Sequence, residues 1–214
     1  MTALRVAILG HGAVGGALAE HLLRLGHAVT VGADDDRRAS AGELRSRLPG
    51  LGIASAEEAV GGADLVVLAV PFGAVEAVLT PLVPHLRDRI LVDATNPVGP
   101  GLRHGLGDGR AGAEHVAGIA AGARVVKAFS VYGAENLARP AHPGAPLRPV
   151  MPIAGDDDAA KAVVSALVTA MGWRALDTGP LAQALNLEHM TLLWVRMVRM
   201  GGHPADLTWA ALPA

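Results

Sequence analysis

The chain has 214 residues, 51% of them apolar, and a net charge of −2. That length holds one sizeable α/β core and a small appendix, and the near-neutral balance gives no electrostatic footprint for nucleic acid or an anionic membrane. Absence of cysteine excludes disulfides, thiolate nucleophiles and Cys-based zinc sites and fits a cytoplasmic protein.

Strand and helix alternate from the start. Leu4 to Leu9 is strand-like, Ala13 to Leu25 helical up to the stop at Gly26, and His27 to Ala33 a second strand. Glycines, Glu20 and Arg24 interrupt the apolar N-terminus, so it reads as neither a leader nor a membrane span, and the protein is expected to be soluble and unprocessed. Arg37 to Leu48 is a helix ended by Pro49-Gly50, followed by a short strand at Ile53-Ala54 and by Ser55 as an N-cap. Asp64 to Val70 is a continuous apolar run of the type buried on both faces of a parallel sheet. Pro71 opens a helix to about Leu79, and Pro81 and Pro84 are expected to break the helical path beyond it. Further strands run over Arg89 to Ala94, Arg124 to Phe129, Val150 to Ala154 and Trp173 to Asp177; Ala113 to Ala120, Gly133 to Ala138 and Ala159 to Met171 are helical. Pro140 to Pro149 is linker-like, and a last helix spans Pro180 to Met200. This grammar predicts a doubly wound, mostly parallel sheet of about eight strands. The expected division is a Rossmann domain over residues 1–180 and a C-terminal helical extension over 181–214.

Between the first strand and the first helix lies Gly10-His11-Gly12-Ala13-Val14-Gly15, a dinucleotide-binding fingerprint in its proper setting. Gly10 permits the tight turn, Gly12 lets the backbone approach a pyrophosphate, and Gly15 lets the helix pack on the strand. The phosphates are expected on the free N–H groups of the helix that begins near Ala13. Ligands of such sheets bind outside the carboxyl ends of the strands. There the sequence places Val70-Pro71-Phe72, Thr95-Asn96-Pro97 and Lys127-Ala128-Phe129-Ser130.

The chain resembles the NADP oxidoreductase family that exchanges hydride with the deazaflavin coenzyme F420 and that includes reductases acting on other acceptors. The resemblance rests on the glycine turn, Ala69-Val70-Pro71, Thr95-Asn96-Pro97, Val126-Lys127-Ala128-Phe129, Ala154-Gly155-Asp156-Asp157 and Asp177-Thr178-Gly179-Pro180-Leu181. It implies hydride transfer, a homodimer, and a substrate seated against the nicotinamide with help from the C-terminal segment. One position departs from the family. Where the family carries Gly-Ser-Arg to cradle a 2′-phosphate, this chain has Gly32-Ala33-Asp34. A carboxylate at Asp34 accepts hydrogen bonds from a free ribose diol and repels a phosphate, which tilts the cofactor from NADP(H) towards NAD(H). Arg37 and Arg38 are the alternative, reaching the phosphate from the next helix turn, while Asp35 or Asp36 caps that helix.

Other residues carry two readings. Lys127, in an apolar strand, either serves the active site or forms a structural ion pair, because an unpaired buried ammonium is costly. Tyr132, the sole tyrosine, is a candidate proton donor. Asn96 contacts the nicotinamide side or forms an ordinary Asn-Pro turn, and Pro71 with Phe72 walls the ring or simply opens a helix. The triple acid Asp156-Asp157-Asp158 precedes a helix and is better explained by capping than by a metal, and His203 with Asp206 lacks further ligands. The last helix offers an apolar stripe of Leu187, Met190, Leu193, Trp194 and Met197 for a subunit contact or for packing on the sheet. Arg103, Arg110, Arg139 and Arg148 are compatible with a cationic groove for a deazaflavin tail, and Trp194 or Met197 with a closed pocket for a small substrate. A short-chain dehydrogenase mechanism is excluded, since Tyr132 has Asn136, not lysine, four residues on. The expected function is hydride exchange between NAD(P)H and the deazaflavin. The alternatives are reduction of a small imine or carbonyl, with Tyr132, Lys127 or a histidine as acid, and nucleotide sensing without turnover.

Overall fold

A computed structural model describes residues 2–34, 38–139, 142 and 146–212. Its strands are β1 (Arg5–Leu9), β2 (Ala28–Gly32), β3 (Gly52–Ala54), β4 (Leu65–Leu68), β5 (Ile90–Asp93), the two-residue β6 (Val98–Gly99) and β7 (Arg103–His104), β8 (Arg124–Lys127), β9 (Val150–Gly155) and β10 (Arg174–Asp177). The helices are α1 (Ala13–Arg24), α2 (Arg38–Arg47), α3 (Ala56–Gly61), α4 (Val75–Leu79), α5 (Val83–Leu86), α6 (Gly112–Ile119), α7 (Asp158–Ala170) and α8 (Ala184–Val195). The main sheet has eight strands in the order β10-β9-β8-β5-β4-β1-β2-β3. It is parallel except between β8 and β9. This is the predicted doubly wound Rossmann sheet, with β9 and β10 running opposite to the rest.

Burial follows from that position. Leu65-Val66-Val67-Leu68 of β4 is buried along its whole length because helices cover both faces, so the sequence shows a run rather than an alternation. Ser55 caps α3 through a reciprocal box: its hydroxyl accepts from Glu58 N and the Glu58 carboxylate accepts from Ser55 N. The α-helix ends at Leu79 as expected, and Pro81 and Pro84 divide the path beyond it. Each sits in the first turn of a new segment, a 3-10 turn Thr80–Leu82 and then α5, where a missing N–H is tolerated. Within the glycine-rich segment after β5, β6 and β7 pair in a small antiparallel hairpin.

The C-terminal segment is tied to the sheet. Leu181 N donates to Asp156 at the end of β9, and Val150 N donates to Trp209 O. Helix α8 buries Ala184, Leu187, Glu188, Thr191, Leu192 and Trp194, so Leu187 and Trp194 of the predicted stripe lie inside, Glu188, Thr191 and Leu192 join them, and Leu193 is left 49% exposed. A π-helical turn, Arg196–Met200, comes next. Among the described residues no helix is long and apolar enough to cross a membrane.

Candidate active site

Each fingerprint glycine is required for a different physical reason. Gly10 has φ +101, and a Cβ there would lie 2.4 Å from Ala69 O; only glycine makes this turn. A Cβ on Gly15 would lie 1.8 Å from Gly10 O, so the helix reaches the strand only because that atom is missing. A Cβ on Gly12, by contrast, would meet nothing within 4 Å. The space beside Gly12 faces the start of α1, where no side chain caps the helix and the first-turn N–H groups of Ala13 and Val14 have no intrahelical acceptor. This arrangement suits a pyrophosphate, and it is built by residues within six positions of one another. His11 Nε2 lies 2.7 Å from Ser40 Oγ on α2.

From the turn a cleft of about 420 Å³ extends across the ends of β1 and β2. Gly10, His11, Ala33, Asp34 and Val70 line it, together with Ser55, Ala56 and Glu57 at the start of α3. Ala74, Ala77, Val78 and Leu82 supply an apolar wall of the kind an adenine ring packs on. Asp34 is exposed at the end of β2, and Ala33 beneath it is 2% exposed. Asp35, Asp36 and Arg37 lie outside the described residues, as does the side chain of Arg38.

The strand ends on the other side of the turn converge as expected, but their side chains bond mostly to one another. Asn96 Nδ2 donates to Ser130 O at 3.0 Å, and Asn96 Oδ1 accepts from Thr191 Oγ1 of α8 at 3.0 Å. Thr95 is buried, with its N and Oγ1 both donating to Asp93 Oδ1. Pro71 is exposed, whereas Phe72 packs its ring 5.6 Å from that of His115. At the end of β8, Phe129 takes φ +61, an uncommon conformation for a bulky residue, and turns the chain so that Ser130 O meets Asn96 and Thr191. Ser130 Oγ is buried without a hydrogen-bond partner among the described residues.

Neither candidate acid reaches this rim. Lys127 is 0% exposed, and its Nζ lies 3.0 Å from Asp93 Oδ2, 2.9 Å from Glu188 Oε1 and 2.5 Å from Thr95 O. The structural ion pair is therefore the correct reading, because every proton of the ammonium has an internal acceptor. Tyr132 stacks on Trp173 at 4.9 Å, donates its hydroxyl to Val150 O and accepts from Trp209 N. Burial pushes its phenol above the ordinary value, and the Trp209 hydrogen bond only partly offsets this. A proton so held does not serve a substrate. Trp194 is likewise no pocket wall, being 1% exposed with its Nε1 donating to Leu207 O.

The residue that organises the rim is one whose role the sequence leaves open. Glu188 is 1% exposed and accepts from Gly112 N at 2.8 Å and Ala113 N at 3.2 Å, while its Oε2 lies 2.7 Å from His104 Nε2. Burial alone raises its carboxyl, but the Lys127 charge and the His104 and Gly112 hydrogen bonds more than reverse this and hold it below the usual range. The signal available in the sequence is an acid on the inward stripe of an apolar helix. The acid triple after β9 resolves as capping: Asp157 accepts from Ala160 N, Asp158 pairs with Lys161, and Asp156 holds Leu181. Arg110 and Arg139 are exposed and pair with Asp108 and Glu20.

Residues 5–97 match the family described as NADP oxidoreductase, coenzyme F420-dependent. Metalloreductase STEAP3 of Rattus norvegicus is 35% identical over 188 residues, 88% of this chain, which spans 36% of that relative's length. A protein of Arthrobacter sp. FB24, described as a candidate F420-dependent NADP reductase, has a similar structure with a TM-score of 0.86 and 28% identity, over 98% of this chain and 100% of that one. An imine reductase of Aspergillus terreus, in complex with NADPH4 and dibenz[c,e]azepine, shares the fold with a TM-score of 0.66 and 22% identity, over 94% of this chain and 64% of that one. The resemblance read from the motifs is borne out by these matches.

Proposed function

We propose that the chain carries out hydride exchange between a nicotinamide dinucleotide and the deazaflavin coenzyme F420, a reading supported by the family match over residues 5–97 and by the similarity to the Arthrobacter protein. The observation that carries its dinucleotide half is the open space at Gly12 beside an uncapped helix start, continuous with a cleft that has an apolar wall suited to adenine and an acid at the ribose position, while the F420 acceptor rests on the family resemblance. The described residues fit the cofactor: Gly12, Ala13 and Val14 would hold its pyrophosphate and Asp34 its ribose. When bound, the dihydronicotinamide supplies two electrons and a hydrogen as hydride, and the acceptor completes its reduction with a proton from water. The chain contributes position rather than acid catalysis, which agrees with Lys127 and Tyr132 being held inside the core.

Reduction of a small imine is the second reading; it draws its proton from a histidine, because the other two candidate acids are buried. Anaerobic turnover with NADH and NADPH separately distinguishes the readings, with F420 in one arm and a cyclic imine in the other. Transfer to F420 supports the first, and imine reduction without it supports the second. Cofactor binding with no turnover in either arm leaves a nucleotide sensor.

A further inference from the structure

Helix α8 places Glu188 and Thr191 nearly one turn apart on its inward face. From there Glu188 meets Lys127 of β8, His104 of β7 and the first-turn N–H groups of α6. The single Thr191 hydroxyl proton has three acceptors in reach, Ser130 O at 2.8 Å, Asn96 Oδ1 at 3.0 Å and Leu187 O of its own helix at 3.0 Å, so it is shared between the helix and the rim. Lys127 passes the connection to Asp93, whose other oxygen holds the turn at Thr95. Gly112 makes the convergence possible, since a Cβ there would stand 2.9 Å from both Phe72 Cε2 and Pro97 Cδ and 3.0 Å from Glu188 Oε1. The segments thus gripped are Thr95 to Pro97 and Ser130, at the β5 and β8 strand ends, none of which lines the adenosine cleft. None of the residues lining that cleft bonds to α8 in this network.

We infer that Glu188 and Thr191 are positioning residues for the nicotinamide half of the site, fixing the β5 and β8 strand ends while leaving the adenosine half untouched. This rests on the dinucleotide reading of the site. A rim held from α8 can shift without disturbing the pyrophosphate position, which is the uncapped start of α1 beside Gly12.

The test compares two ligands on folded protein: whichever of NADH and NADPH the wild type prefers, and the matching ADP-ribose, which lacks the nicotinamide. Thr191→Val is isosteric and removes only the hydroxyl, and Glu188→Gln keeps the shape and removes the charge; melting curves verify folding. The expected result is a reduced-cofactor Kd about tenfold weaker in each variant, equivalent to about 1.4 kcal/mol. The ADP-ribose Kd is expected to change by less than about twofold, and Thr191→Ser to restore the wild-type value because it returns the hydroxyl. The emission of bound reduced nicotinamide is expected to move towards that of free cofactor. Equal weakening of both ligands would reveal a general structural role and overturn the inference, as would a folded Thr191→Val protein with unchanged cofactor affinity and emission. A wild-type protein that binds neither ligand overturns the dinucleotide reading itself.

Discussion

Replacing Gly12 with alanine is expected to separate cofactor binding from stability. Gly12 has φ −69 and ψ −163, values open to alanine, and the added Cβ has no protein atom within 4 Å. The folding cost is then that of a poorer N-cap, about 1 kcal/mol or less, which lowers the melting temperature by about 2–4 °C in a chain of this size. Binding is affected differently, because the methyl group stands where phosphate oxygens must approach the first-turn N–H groups. Hydrogen bonds to a charged group contribute about 1.5–3 kcal/mol each, so losing two weakens the dinucleotide by about 10²- to 10⁴-fold. Gly15→Ala is the contrasting variant: its Cβ meets Gly10 O at 1.8 Å, so α1 and β1 must separate. Stability there is expected to fall by about 3 kcal/mol or more. Calorimetric titration with NADH and NADPH, paired with thermal melting, reads both quantities. A Gly12→Ala protein that binds as wild type, or that melts more than about 10 °C lower, would refute this account of the turn.

Three other outcomes are expected from the geometry. Asp34→Ser removes a carboxylate from the cleft beside the expected ribose, and the ratio of NADPH to NADH affinity should rise by at least about tenfold as the repulsion of a 2′-phosphate is lifted; an unchanged ratio would mean that Asp34 does not face that position. Lys127→Met leaves Asp93 and Glu188 buried without their ammonium, a loss of about 3–5 kcal/mol that chemical denaturation would detect, and a change under about 1 kcal/mol would contradict the network. Stability should also fall in two stages on acidification. Burial holds His21 and His27 below the ordinary imidazole value, so below about pH 6.5 the unfolded chain binds protons that the folded one resists. His27 Nδ1 accepts from Leu4 N, which a protonated ring cannot do. Glu188, held low when folded, contributes stability that is full above about pH 4.5 and is lost as pH falls through its folded value. The urea midpoint measured from pH 7.5 to 3.5 checks both stages, with His27→Gln expected to flatten the upper and Glu188→Gln the lower; wild-type-like profiles in both would sink the assignment.

The order of elements and the phosphate turn are legible in the chain itself because their causes are local. Gly12 and Gly15 act within a few residues of themselves, and Ser55 with Glu58 closes its box within one helical turn, whereas the turn at Gly10 also packs on Ala69 beyond the distant β4. The continuous apolar run of β4 likewise reports burial on both faces, whatever the neighbouring strands are. What the fold alone decided is which distant groups meet. Lys127 shows in sequence that an ammonium stands in an apolar strand, and leaves open whether a cleft or a carboxylate receives it. The pairing of β5 with β8 brought Asp93 alongside, and the packing of α8 brought Glu188 from the far end of the chain. Tyr132 reads in sequence as a rim residue because it comes just after a strand end, but the turn at Phe129 and the return of the C-terminal segment enclose it between Val150 and Trp209. The buried face of α8 took in Glu188 and Thr191 for the same reason. Periodicity reports that a helix has an apolar side, whereas the acids and hydroxyls that join the buried side are selected by partners the chain contacts only after it has folded.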